Sequence, residues 1–166
     1  LMAIDKKFID QFCRVTSKAA LAASYLVGKK DKIAADKAAV DSMRSELNQL
    51  DINGQIVIGE GELDEAPMLY IGEKIGTKNG PHIDIAVDPL EGTNFAACNL
   101  PGALSVIAIA EKNNLFNAPE TYMEKIATGK IEKGLIDLDY SLEKNIKNLS
   151  EYKNKNINEI TACILD

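Results

Sequence analysis

Carboxylates dominate the chemistry open to this chain, and the most telling pair stands in DIAVDPLEGTN, residues 84–94. Asp88 closes an apolar run, Glu91 follows three residues later, and Gly92 and Thr93 come directly after. Two carboxylates returning to the end of one strand, with the Leu90 carbonyl between them, are hard oxygen donors suited to Mg²⁺ or Mn²⁺. Pro89 offers no amide and is expected to turn the chain out of the sheet. Gly92 lets backbone approach a phosphate, the amides beyond it can open a helix whose N-terminus favours an anion, and Thr93 can orient a water. Metal, phosphate and nucleophile meeting at one turn is what phosphoryl hydrolysis requires. Taken alone, the string reads equally as a polar turn with a capping threonine.

Two further stretches add carboxylates. GEGELDEAP contributes Glu60, Glu62, Asp64 and Glu65 in a glycine-rich loop after a short strand. Asp36 lies on the apolar stripe of a helix, four residues before Val40. A carboxylate there either caps its own helix or points at something charged.

The elements that must position these groups are legible as a mixture. Phe8, Phe12, Val15, Ala19, Ala22 and Leu26 predict a helix over 5–27, stopped by Gly28. GKKDK makes a turn, and Val40, Met43, Leu47 and Leu50 predict a second helix over 33–50. Strands are predicted at 55–58, at 82–88, at 103–111 (apolar enough to suggest burial on both faces) and at 159–165. A helix is expected over 119–129, between Pro119 and Gly129, and a polar one over 141–153. The order predicts an α/β chain, α+β in its mixture, with two helices on a mixed sheet and the acidic loops at strand ends, where sites in open sheets lie.

Composition sets limits. The chain has 166 residues, 46% hydrophobic and 27% charged, an ordinary globular mix for a single domain. Its net charge of −6 argues against a nucleic-acid surface. No apolar run is long enough to span a bilayer, and the start LMAIDKKF lacks the pattern of a secretory leader, so no membrane partner is expected. Cys13, Cys98 and Cys163 are scattered and odd in number, which fits a reducing, cytoplasmic setting, with Cys98 expected as a buried structural thiol. His82 is expected just ahead of a strand. There is no GxxxxGK[ST] phosphate loop.

At these motifs a resemblance enters. DPLEGT is similar to the D-P-[IL]-[DE]-G-T signature of the lithium-sensitive, metal-dependent sugar and inositol phosphatases. With IVIGEGELDEAPMLYIGEKIG and NAPETYMEKIATGKI, the chain resembles the class II, bacterial fructose-1,6-bisphosphatases, from RVTSKAALAA to ITACILD. The resemblance implies a layered sugar-phosphatase fold and Mg²⁺- or Mn²⁺-dependent hydrolysis of the 1-phosphate of fructose 1,6-bisphosphate in gluconeogenesis. It implies metal ligands at Asp36, Glu60, Asp88 and Glu91, and substrate contacts at Glu91, Gly92, Thr93 and Tyr122. It assigns catalytic roles to Thr93 and Asp64 around the attacking water, and to Lys32 beside the metals. Sedoheptulose 1,7-bisphosphate or an inositol phosphate are the alternative substrates, and a metal- or partner-binding module without catalysis is the alternative class. A homo-oligomer is expected.

The family's enzymes are about twice this length. Their second half carries a basic segment for substrate phosphate and a further metal-binding glutamate. The 166 residues are therefore expected to form the family's N-terminal metal- and phosphate-site domain. Full activity is expected to need a companion C-terminal part, and the isolated chain is expected to be weak or inactive.

Overall fold

The computed structural model of the chain describes residues 6–62, 68–116 and 123–163. It divides into two compact units, 1–120 and 121–166.

The first unit is a helix pair on a sheet. Helix α1 (Lys7–Ser24) buries Phe8, Phe12, Val15, Ala19 and Ala23 along one stripe. Helix α2 (Lys32–Leu47) begins at Asp31, whose carboxylate accepts the Ala34 amide at 2.9 Å. Its buried face is Ala35, Ala39, Val40, Met43 and Leu47. Alanines on both stripes let the helices approach closely, with Met43 and Leu47 filling the space beneath. Both helices end sooner than expected, because residues 25–30 and 48–50 turn away to reach their neighbours. The Gly28 and Lys30 amides donate to the Ala96 and Ala97 carbonyls, at 3.0 and 2.9 Å, tying this turn to a later helix.

The sheet has four strands: β1 (Asn53–Ile58), β2 (Lys74–Ile75), β3 (His82–Glu91) and β4 (Leu104–Glu111). Their order is β2-β1-β3-β4. Strands β1 and β3 run parallel; β2 and β4 are antiparallel to their neighbours. Ile56, Ile83, Ile85 and Val87 belong to the core shared with α1 and α2. Two strand expectations change. Strand β3 does not stop at Asp88 but continues through Pro89 to Glu91. Strand β4 is not a covered central strand: it lies at the sheet edge, with Leu104 and Val106 59% and 44% exposed. An apolar run alone does not separate a central strand from an edge strand whose second face is open.

Asp84, 5% exposed on β3, accepts the Asn114 and Leu115 amides at 3.2 and 3.5 Å, fixing the turn after β4. Short helix α3 (Thr93–Ala97) follows β3 directly. Cys98 caps its C-terminus and is exposed rather than buried, because the chain turns there.

The second unit is built around α4 (Leu142–Tyr152), capped by Ser141, whose hydroxyl accepts the Lys144 amide at 3.2 Å. Buried Asn145 accepts the Asp137 amide and donates to the Asp137 carbonyl, at 3.0 and 2.8 Å. A single 3₁₀ turn covers Ile157–Glu159. Residues 123–129 form no helix; Met123 and Ile126 are exposed, so no buried stripe supports one. Residues 160–163 form no strand, since no strand of this unit is described to pair with them. The rest of those two expected elements, 119–122 and 164–165, lies outside the described residues. Among the described residues no helix is long and apolar enough to cross a membrane.

Candidate active site

The paired carboxylates owe their common direction to a bulge. In a regular strand, residues three apart point to opposite faces. Between Asp88 and Glu91 the β3–β4 register slips: Asp88 pairs with Val106 and Glu91 with Leu104. Three steps on β3 thus match two on β4. The extra residue reverses the parity and brings Asp88 and Glu91 to one face. Pro89 sits within this bulge, where a missing amide is tolerated.

A second slip brings in Glu60. Strand β1 pairs Ile56 with Ile85 but Ile58 with Ala86. Carried on past the strand end, the shifted register sets Glu60 level with Asp88; without the slip it would fall level with Pro89. Two irregularities in neighbouring strands therefore bring Asp88 and Glu91, within β3, and Glu60, in the loop after β1, to one cavity.

The helices supply the rest. Asp36, half-buried in the second turn of α2, is not a cap, since Asp31 has that task. Gly92, at φ +78°, turns the chain from β3 into α3 and sets Thr93 as the first helical residue. A cavity of about 490 Å³ results, lined by Asp36, Glu60, Asp88, Glu91 and Thr93 with Gly59, Leu90 and Gly92.

Its electrostatics are those of crowded carboxylates. Asp88 is pushed up to about 6, first by burial, then by its hydrogen bond to Glu91 and the Glu91 charge. The Leu90 amide pulls the other way, and Asp36 adds a further like-charge push. Burial also raises Asp36. Among the described residues, no three carboxylate, imidazole or thiol side chains already stand close enough to form an ion cage. The donor set nonetheless fits a hard divalent cation: all donors are oxygens, and like charges held at one face are what such an ion relieves.

A carboxyl raised on folding binds its proton more tightly in the native state, so stability falls as pH climbs from the unfolded value of 3.8 through about 6. Urea unfolding of the metal-free chain is expected to show wild type losing stability relative to Asp88→Asn between about pH 4 and about pH 7. Parallel curves would mean that folding does not raise Asp88.

Of the other sequence candidates, Lys32 is exposed at the start of α2 and does not line the cavity. Asp64 and Tyr122 lie outside the described residues. Sequence reasoning passed over Glu73 and Arg44. Glu73 is 4% exposed and Arg44 Nε donates to its Oε1 at 2.6 Å. Its signal was a charge set in the alternating apolar string Leu69, Ile71, Glu73, Ile75.

Comparison with known proteins agrees with the motifs. The model of the family described as bacterial fructose-1,6-bisphosphatase, glpX-encoded, matches residues 6–166. Fructose-1,6-bisphosphatase 1 class 2 of Escherichia coli (strain K12) is 52% identical over 155 residues, 93% of this chain and 46% of that protein. D-fructose 1,6-bisphosphatase class 2/sedoheptulose 1,7-bisphosphatase of Synechococcus sp. (strain CC9902) is 47% identical over 163 residues, 98% of this chain and 49% of that protein. The chain thus spans about half the length of these relatives. A solved extragenic suppressor from Pyrococcus furiosus superposes at a TM-score of 0.45 with 18% identity, covering 64% of this chain and 41% of that one, too slight a likeness to carry an argument. With a match running from residue 6 to residue 166, the chain belongs to the bacterial, class 2 fructose-1,6-bisphosphatase family.

Proposed function

We propose that this chain carries the metal- and phosphate-binding wall of a divalent-cation-dependent sugar bisphosphatase. The reaction is hydrolysis of the 1-phosphate of fructose 1,6-bisphosphate to fructose 6-phosphate and phosphate, a gluconeogenic step in the cytoplasm. The observation that supports it is the cavity where two strand irregularities and two helices converge on Asp36, Glu60, Asp88, Glu91 and Thr93.

Asp36, Glu60, Asp88 and Glu91 would hold Mg²⁺ or Mn²⁺. When bound, the cation neutralises phosphate charge and lowers the pKa of bound water. The Thr93 hydroxyl orients the attacking water, and Asp64 accepts its proton. Gly92 gives the phosphate access to backbone, Tyr122 contacts substrate, and Lys32 acts beside the metals. The chain acts as one N-terminal domain, and full activity needs polypeptide equivalent to the length of the relatives it does not span; the assembled enzyme is a homo-oligomer.

The test joins this chain to the remaining half of the Escherichia coli relative and measures phosphate release with each divalent ion. Release from fructose 1,6-bisphosphate that requires Mg²⁺ or Mn²⁺ is the expected result. No release with any divalent ion would overturn the reading. Sedoheptulose 1,7-bisphosphate is the second substrate to try, because relatives 44–47% identical carry both names.

A further inference from the structure

We infer that Glu73, steadied by Arg44, is the residue that positions Glu60 and thereby sets the divalent-cation affinity of the site. The inference rests on the reading of that site given above.

Glu73 is a buried carboxylate, 4% exposed, and both its oxygens are used. Oε1 accepts from Arg44 Nε at 2.6 Å, and Oε2 accepts a short bond from the Leu69 amide. Leu69 is fully buried and holds a left-handed backbone, φ +55°, without being glycine. Such a conformation persists where the surroundings over-determine it. Here its function is visible in what the peptide does next. The Leu69 carbonyl accepts the Glu60 amide at 3.0 Å, and the Ile71 amide donates to Gly61 at 2.8 Å. Strand β1 is gripped by the same segment four residues earlier: the Ile56 amide donates to the Glu73 carbonyl at 3.0 Å, and the Gly72 amide to the Ile56 carbonyl at 2.8 Å.

A relay therefore runs from a buried charge to a candidate ligand: Glu73 carboxylate, Leu69 amide and carbonyl, Glu60 amide. Gly59 belongs to the same contact, since a Cβ there would lie 2.0 Å from the Leu69 oxygen. Groups that orient metal ligands from behind govern affinity almost as strongly as the ligands. Glu73 is such a positioning residue, acting through the backbone that carries Glu60.

The experiment is a Mn²⁺ titration of the chain joined to the second half of the Escherichia coli relative, followed by electron paramagnetic resonance, with circular dichroism and thermal midpoint as controls on folding. Glu73→Gln is expected to weaken Mn²⁺ binding by about 10- to 100-fold. The same change in a Glu60→Gln background is expected to add little, because the relay ends at Glu60. Additive losses, or a lowered thermal midpoint with unchanged Mn²⁺ affinity, would show a merely structural role and overturn the inference. Should Glu73→Gln not fold, Arg44→Gln decides on the same titration, with Arg44→Lys expected to restore part of the affinity. If Asp88→Asn weakens binding while the Glu73 and Arg44 variants do not, only the relay fails. If wild type binds no Mn²⁺, the reading of the site fails first and the relay with it.

Discussion

Asp88→Asn is expected to weaken Mn²⁺ binding by more than ~100-fold, since residues behind a metal ligand already cost ~10- to 100-fold. In the chimera with the Escherichia coli second half, phosphate release should fall by at least ~10²-fold, the scale of losing one strong electrostatic contact to the transition state. Asparagine keeps the shape and one carbonyl oxygen but removes the charge. It also removes the crowding that raises Asp88 against Glu91. The same substitution should therefore stabilise the metal-free fold at neutral pH while abolishing tight ion binding. Opposite signs in the two measurements separate a lost ligand from a damaged fold. Binding at wild-type strength would remove Asp88 from the site.

Gly59→Ala is expected to be costly for a reason of space. The added Cβ would stand 2.0 Å from the Leu69 oxygen and 2.7 Å from Ile56 Cγ2. The first obstacle is backbone, already bonded to the Glu60 amide at 3.0 Å, so no side-chain rotation relieves it. Either the segment around Leu69 moves away from β1 or Glu60 moves with residue 59. Overpacking of this kind costs about 1–3 kcal/mol, and a backbone clash belongs at the upper end. The urea midpoint should drop with the slope unchanged, and Mn²⁺ affinity should fall with it. A variant with wild-type midpoint and affinity would show that the two segments do not touch.

Much of the fold was readable residue by residue. The stripe Phe8, Phe12, Val15, Ala19 and the stripe Val40, Met43, Leu47 are buried as their period requires. The described parts of two other expected elements, 123–129 and 159–163, were not readable, because capping and turn residues mark where an element could stop, not whether anything packs against it. Lys32 lies off the cavity lining, so its proposed role depends on its long side chain and not on burial.

The motif DPLEGT by itself determined that two carboxylates, a glycine and a hydroxyl would lie together, and the family signature named the chemistry they suit. It did not determine their direction. Spacing of three on a strand should have set Asp88 and Glu91 on opposite faces, and only the slipped pairing with β4 turned them to one. The approach of Glu60 likewise came from the slip between β1 and β3, and from Leu69 and Glu73 holding the loop behind it. Asp36 was ambiguous until Asp31 proved to be the cap. Local spacing sets which groups a segment carries, while register between strands and packing between elements set where those groups point.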